Sequence, residues 1–222
     1  MIDIKQQEEM FIAIGNILEK KISVYAIGGT SMMLKSIKDS TLDVDFVFDK
    51  KTDRDEFINA LKNLGAKESD ATITYGLRKN TPLMLELENV RFDLFMNKVV
   101  TSAFSEKMKN RASEIHEFGK NLIIKAADVH DIILMKSSTS RIKDIDDIVS
   151  IIKKNIINWN VIIGEAEEQV NLGNENAIIS LGEKLESLNN QKLIILPEFV
   201  LDKLWNLLKN QISKKVKTKN KN

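Results

Sequence analysis

Cysteine is absent from this 222-residue chain. Disulfides and thiolate zinc sites are therefore excluded, and a reducing compartment suits the protein. Histidine is scarce: His116 and His130 are the two in the chain, too few for a multi-histidine metal site, and both read as incidental. Charge of one sign is lacking as well. With 33 basic against 32 acidic residues, the net charge of +1 gives no global steering toward nucleic acid. No apolar run approaches the ~18–20 residues needed to cross a bilayer. The polar start MIDIKQQEEM is unlike a signal peptide. A cytoplasmic protein with no membrane partner is expected. The phosphate-binding pattern GxxxxGK[ST] is missing, and so is a dinucleotide fingerprint. No internal repeat is visible. What is there is 43% hydrophobic content, enough for one sizeable core or a core plus a smaller domain.

Periodicity predicts a mixed first half. Residues 4–20 read as an amphipathic helix, with Ile4, Phe11, Ile14 and Leu18 at helical spacing. A buried strand over 22–27 ends at Gly28-Gly29. A helix over 30–36 follows, with Thr30 as its cap. A strand spans 42–48, and Thr52 caps a helix over 53–64 that stops near Gly65. Strands are expected at 72–77, 83–88 and 90–96, the last two forming a hairpin around Glu88-Asn89. After residue 125 the pattern turns helical: 127–136, 141–153, 158–171, 175–188 and 198–212, with Pro197 at the start of the last. The expected fold class is α+β, a small mixed sheet flanked by helices (1–125) and a helical domain (126–222). The end, KNQISKKVKTKNKN, carries six lysines and is expected to be disordered.

The stretch TLDVDFVF, 41–48, sets two carboxylates into an apolar strand. Alternate residues of a strand face the same way, so Asp43, Asp45 and Val47 share one face while Val44, Phe46 and Phe48 share the other. RFDLFM, 91–96, repeats the design: Phe92, Leu94 and Met96 face one way, Arg91, Asp93 and Phe95 the other. If the two strands are neighbours, Asp93 completes a cluster of three carboxylates. Two ionised carboxylates ~5 Å apart repel by roughly 3 kcal/mol at an effective dielectric near 20. Such a cluster calls for a cation, and Mg²⁺, a hard ion held by carboxylates and substrate phosphates, suits it. Asp53-x-Asp55 and Asp144-x-Asp146 fall in helical segments, where i and i+2 do not share a face.

Gly28-Gly29-Thr30-Ser31 lies at a strand-to-helix turn. Glycine lets backbone approach a phosphate closely. The helix start offers N–H groups, and Thr30 and Ser31 add hydroxyls. A phosphate cradle close in sequence to a carboxylate cluster suits nucleotidyl transfer, with one metal on the triphosphate and a second activating the attacking hydroxyl.

On GGTS (28–31), TLDVDF (41–46), FDLF (92–95) and IILMKSSTSRIKDIDDI (132–148), the chain resembles the nucleotidyltransferase superfamily of polymerase-β-type fold, and most the branch of AbiE-type abortive-infection toxin–antitoxin systems. The match covers residues 22–150. The resemblance implies that Asp43 and Asp45 bind both Mg²⁺ ions, that Asp93 binds the catalytic one and helps deprotonate the nucleophile, and that Gly28, Gly29 and Ser31 contact phosphate. The family often carries arginine four residues before the first Asp, where this chain has Asp39.

The basic residues of the second half have two readings. Lys136, Arg141 and Lys143 either lace a helix surface with Asp144 and Asp147, or Lys136 and Lys143 reach the triphosphate while Asp144 and Asp147 orient them. The Ser/Thr cluster 137–140 would cap the next helix. The lysine tail lacks interleaved aromatics for base stacking. The expected function is Mg²⁺-dependent transfer of NMP from an NTP, ATP among them, to a hydroxyl of RNA (tRNA first), a protein or a small molecule. A toxin role with an antitoxin-like partner goes with it. Two alternatives stand beside it: a catalytically silent nucleotide-binding or interaction module, and a metal-dependent phosphohydrolase.

Overall fold

The computed structural model describes residues 1–139 and 141–219, without the side chains of 214–219. The chain divides into two compact units, Met1–Asp128 and Val129–Asn222.

The first unit begins with β1 (Ile2–Asp3) and α1 (Ile4–Ile17), whose cap Asp3 forms a reciprocal box with Gln6. It continues through β2 (Ile22–Ala26), α2 (Gly28–Leu34), β3 (Ser40–Thr41), β4 (Asp43–Phe48), α3 (Lys51–Asn63), β5 (Lys67–Ser69) and α4 (Ala71–Tyr75). Then come β6 (Leu83–Leu87), β7 (Val90–Met96), β8 (Lys98–Val99), β9 (Ser102–Ala103), α5 (Glu106–Arg111), β10 (Glu114–Phe118) and β11 (Leu122–Ala126). The main sheet is mixed, in the order β10-β11-β2-β4-β7-β6-β5. At its centre β4 runs antiparallel to β2 and parallel to β7.

One face of this sheet is the core. Val44, Phe46 and Phe48 of β4 and Phe92 and Leu94 of β7 are buried with Phe11 and Ile14 of α1 and Phe57 and Leu61 of α3. Ring contacts run from Phe11 to Phe46, and from Phe46 and Phe48 to Phe57. This apolar layer fixes the register of β4. A one-residue slip would turn Asp43 and Asp45 into the hydrocarbon.

The β6–β7 hairpin forms as expected around Glu88-Asn89. Both residues have positive φ, 50° and 66°, the twist a two-residue hairpin loop requires. Elsewhere the structure departs from expectation. Residues 72–77 are not a strand: Asp70 accepts a bond from the Thr72 amide and starts the short helix α4, and the strand falls earlier, at β5. Thr30 is no cap, because α2 begins at Gly28 and Thr30 lies buried inside it. Thr52 likewise sits inside α3, which starts after Lys50 without a side-chain cap. The sheet is also wider than the alternation of apolar residues suggests, since α5 and the β10–β11 hairpin occupy 106–126, a stretch with no clear pattern.

The second unit is helical: α6 (Val129–Ser137), α7 (Ile142–Lys154), α8 (Trp159–Asn171), α9 (Ala177–Asn190) and α10 (Glu198–Lys219). Its core holds Ile132, Ile148, Ile162, Leu181, Leu185 and Leu204. Pro197 immediately precedes α10, as expected. The lysine-rich end expected to lack structure continues this helix to Lys219, while residues 220–222 lie outside the described residues, as does Ser140 of the expected capping cluster. Arg141 holds the cap position of α7, but its side chain does not cap the helix amides. Among the described residues no helix is long and apolar enough to cross a membrane.

Candidate active site

The parallel pairing of β4 and β7 sets Asp43 opposite Arg91 and Asp45 opposite Asp93. One carboxylate oxygen from each of Asp43, Asp45 and Asp93 lies within 4.8 Å of the others. The three acids expected to converge therefore do so, on the sheet face opposite the aromatic core. Asp93 is fully buried, Asp43 nearly so and Asp45 half-buried.

The glycine turn reaches the same place. The Ile27 amide donates to the Asp45 carbonyl at 3.1 Å. Gly28 follows with φ +55°, and a Cβ there would stand 2.8 Å from Asp45 Oδ2. Two reasons thus select glycine: a left-handed backbone and the carboxylate beside it. A Cβ on Gly29 would collide with the Thr41 hydroxyl. Thr30 and Ser31 are turned into the fold. The Asp45 amide donates to Thr30 Oγ1 at 2.9 Å, and Ser31 Oγ donates to the Ala127 carbonyl at 3.0 Å. The Thr30 hydroxyl locks α2 against β4, which carries Asp43 and Asp45, and the Ser31 hydroxyl locks it against the end of β11.

Two residues of the cluster were not singled out from the sequence. Arg91 donates from Nε to Asp93 Oδ1 at 2.9 Å and from Nη2 to Asp93 Oδ2 at 3.1 Å, and Nη2 also donates to Asp43 Oδ2. Tyr75 donates its hydroxyl to Asp93 Oδ2 at 2.6 Å and meets Phe95 edge-on. The signal for Arg91 was legible, because it sits two residues before Asp93 on the same strand face. Tyr75 had none, since it arrives from a surface helix that only the tertiary fold brings over β7.

Electrostatics follow from this crowding. Burial pushes the Asp93 carboxyl above its ordinary value, although Tyr75 and Arg91 pull the other way. Burial, then the charges of Asp45 and Asp93, push the Tyr75 phenol far up. Burial opposes the charge of Arg91, but Asp93 and Asp43 outweigh it and hold the guanidinium above its ordinary value. Arg91 brings one guanidinium to this group of three carboxylates. The donor set is all hard oxygen, and it fits Mg²⁺.

The second unit gathers a different cluster. Lys136 on α6, 7% exposed, donates to Asp144 Oδ1 and Asp147 Oδ2 on α7, both at 2.7 Å. Arg141 Nε and the Thr139 hydroxyl donate to Asp144 Oδ2, the former at 2.7 Å. Burial opposes the charge on Lys136, and the two carboxylates hold it up regardless. Burial also works against ionised Asp144, yet Lys136, Thr139 and Arg141 hold that carboxyl down to about 2. Lys143 lies half-buried on α7. Asp144 and Asp147 thus do face Lys136. His116 contacts Glu114, and His130 accepts from the Asn158 amide.

No curated protein matches the chain. Among solved structures, the chain is similar to a crystal structure of ANT(2″)-Ia in complex with adenylyl-2″-tobramycin, at 12% identity and TM-score 0.41, covering 74% of this chain and 88% of that one. It is also similar to a candidate nucleotidyltransferase from H. pylori, at 14% identity and TM-score 0.35, covering 96% and 94%. These two likenesses are too distant to assign residues. The family model described as nucleotidyltransferase of unknown function (DUF6036) matches residues 8–181, which include the glycine turn, all three carboxylates and the Lys136 cluster. The chain belongs to this family of nucleotidyltransferases.

Proposed function

We propose that the protein moves NMP from an NTP to a hydroxyl acceptor with the help of divalent cations held by Asp43, Asp45 and Asp93. The supporting observation is the convergence of these carboxylates within 4.8 Å, against the Gly28 turn. Bound there, Mg²⁺ would neutralise the carboxylates and polarise the phosphate and the attacking hydroxyl. In the reaction the acceptor oxygen attacks the α-phosphorus, the bond to the β-phosphate oxygen breaks, and pyrophosphate leaves. Asp93, the most buried acid, is the proposed acceptor of the hydroxyl proton. The backbone of Gly28 and Gly29 is proposed to take phosphate, with Thr30 and Ser31 holding that backbone in place. In the second unit, Lys136, Arg141 and Lys143 are proposed for phosphate, with Asp144 and Asp147 orienting Lys136 and Asp144 also holding Arg141.

The finer expectations extend this reading. Two Mg²⁺ ions, an RNA acceptor with tRNA tested first, and a toxin role with an antitoxin-like partner follow from the AbiE-type resemblance. The test combines labelled NTPs, Mg²⁺ and candidate acceptors. Transfer should appear, and Asp45→Ala should abolish it with the circular dichroism spectrum unchanged. A spectrum that collapses instead would make Asp45 a structural group. One observation favours a second reading: Arg91 already supplies a positive charge among the acids, as a silent binding module would need. Calorimetry separates the two, since an enzyme should take up NTP only with Mg²⁺ and turn it over.

A further inference from the structure

We propose that Tyr75 is itself a nucleotide acceptor, so that the protein carries out one round of self-nucleotidylation on this phenol; the inference rests on the transferase reading of the Asp43–Asp45–Asp93 cluster. The hydroxyls near the site differ in where they point. Thr30 and Ser31 are buried and directed at the Asp45 amide and the Ala127 carbonyl. The Tyr75 hydroxyl points at the carboxylate cluster, and its Oη lies 2.6 Å from Asp93 Oδ2. A base and the hydroxyl it deprotonates need a heavy-atom separation of about 2.6–3.2 Å. This pair meets that condition before any acceptor arrives.

The segment carrying Tyr75 is suited to presenting a side chain. Helix α4 is five residues long; Thr72, Ile73 and Thr74 are exposed, and Ala71 and Tyr75 are partly buried. Ile73 and Leu77, on either side of Tyr75, are 86% and 98% exposed. Gly76 ends the helix at φ +61°, with nothing within 4 Å of where a Cβ would stand. Tyr75 is held by Asp93 and the Phe95 ring, while the exposed remainder of α4 lets the segment shift slightly as a nucleotide enters.

The step balances. Tyr75 Oη attacks the α-phosphorus, and an O–P bond forms. The bond from that phosphorus to the bridging oxygen of the β-phosphate breaks, and pyrophosphate departs with the electron pair. The phenolic proton passes to Asp93. The product is a tyrosyl phosphodiester, which carries a negative charge where the neutral phenol stood. Tyr75 offers one hydroxyl, which the phosphodiester uses up, so the reaction is limited to one event per chain.

The experiment uses the full chain alone with Mg²⁺ and, separately, α-labelled ATP, GTP, CTP and UTP, with no added acceptor. Intact mass and peptide fragmentation read the product. The expected result is a single stoichiometric NMP adduct on the peptide containing Tyr75. Tyr75→Phe should lose it while keeping the wild-type circular dichroism spectrum. An adduct that maps elsewhere, or labelling that persists in Tyr75→Phe, overturns the proposal. Wild-type binding of a Mg²⁺-bound, non-hydrolysable NTP, read by calorimetry, separates the remaining failures. Binding with Tyr75 unmodified overturns the self-modification alone, and no binding overturns the transferase reading with it. Mapping on the wild-type chain decides the matter even if the variant misfolds.

Discussion

Arg91 is the residue on which the state of the carboxylate cluster turns. It bonds to both Asp93 and Asp43, so removing it leaves mutually repelling acids in a largely buried place. Arg91→Met should lower stability by about 1–3 kcal/mol, in line with losing one partner of a charged hydrogen bond. Millimolar Mg²⁺ should narrow the gap, because a cation replaces the missing charge. Thermal melts of both proteins with and without Mg²⁺ check this, and a gap that ion leaves untouched would mean the acids hold no metal. For the acids themselves, groups that merely orient a metal's ligands cost about 10–100-fold on mutation. Asp45→Asn and Asp93→Asn should therefore each lower NMP transfer by more than that, measured as initial rates of label incorporation.

Between elements, the pairing of α6 and α7 through Lys136 has its own pH signature. The Asp144 carboxyl is held down to about 2 from an ordinary 3.8. A depressed carboxylate adds stability above its unfolded value and loses it as pH falls through the folded one. Asp144 should thus contribute about 2 kcal/mol above pH ~4, fading toward pH ~2. Urea midpoints across that window should fall steeply in the wild type and less so in Asp144→Asn. Lys136→Met is harsher. It removes the lysine shared by two carboxylates that are 0% and 8% exposed, while Asp144 keeps Arg141 and Thr139, at a cost of about 3 kcal/mol, read as loss of helical signal at lower urea. The element scale also explains what sequence patterns conveyed. The alternation in 43–48 and 91–96 gave both strands and their faces, since one side of each had to meet the aromatic layer. In 72–77, alternating β-prone residues suggested a strand, but a strand needs an edge to pair with, and Asp70 capped a helical turn instead.

At the scale of the whole molecule, the two compact units make separate predictions. Residues 1–128 hold all three carboxylates, the glycine turn, Arg91 and Tyr75. Produced alone, this unit should fold and bind Mg²⁺. An ion at a hundredfold excess over its Kd stabilises by about 2.7 kcal/mol, so its thermal midpoint should rise with Mg²⁺ and should not in Asp45→Asn. Equal shifts in both would place the bound ion elsewhere.

From the amino acids alone came the α+β class, the helical second half, the hairpin at Glu88-Asn89 and the acids Asp43, Asp45 and Asp93. Each is encoded locally, in a period of two or 3.6, a turn dipeptide, or a charge set into an apolar strand. Only the tertiary structure decided that β4 and β7 lie side by side and in parallel, that Gly28 abuts Asp45, and that Tyr75 reaches Asp93 from a surface helix. Those contacts join residues 15–50 positions apart. Strand order and the landing point of a side chain depend on how the whole core packs, and no local window of sequence carries that information.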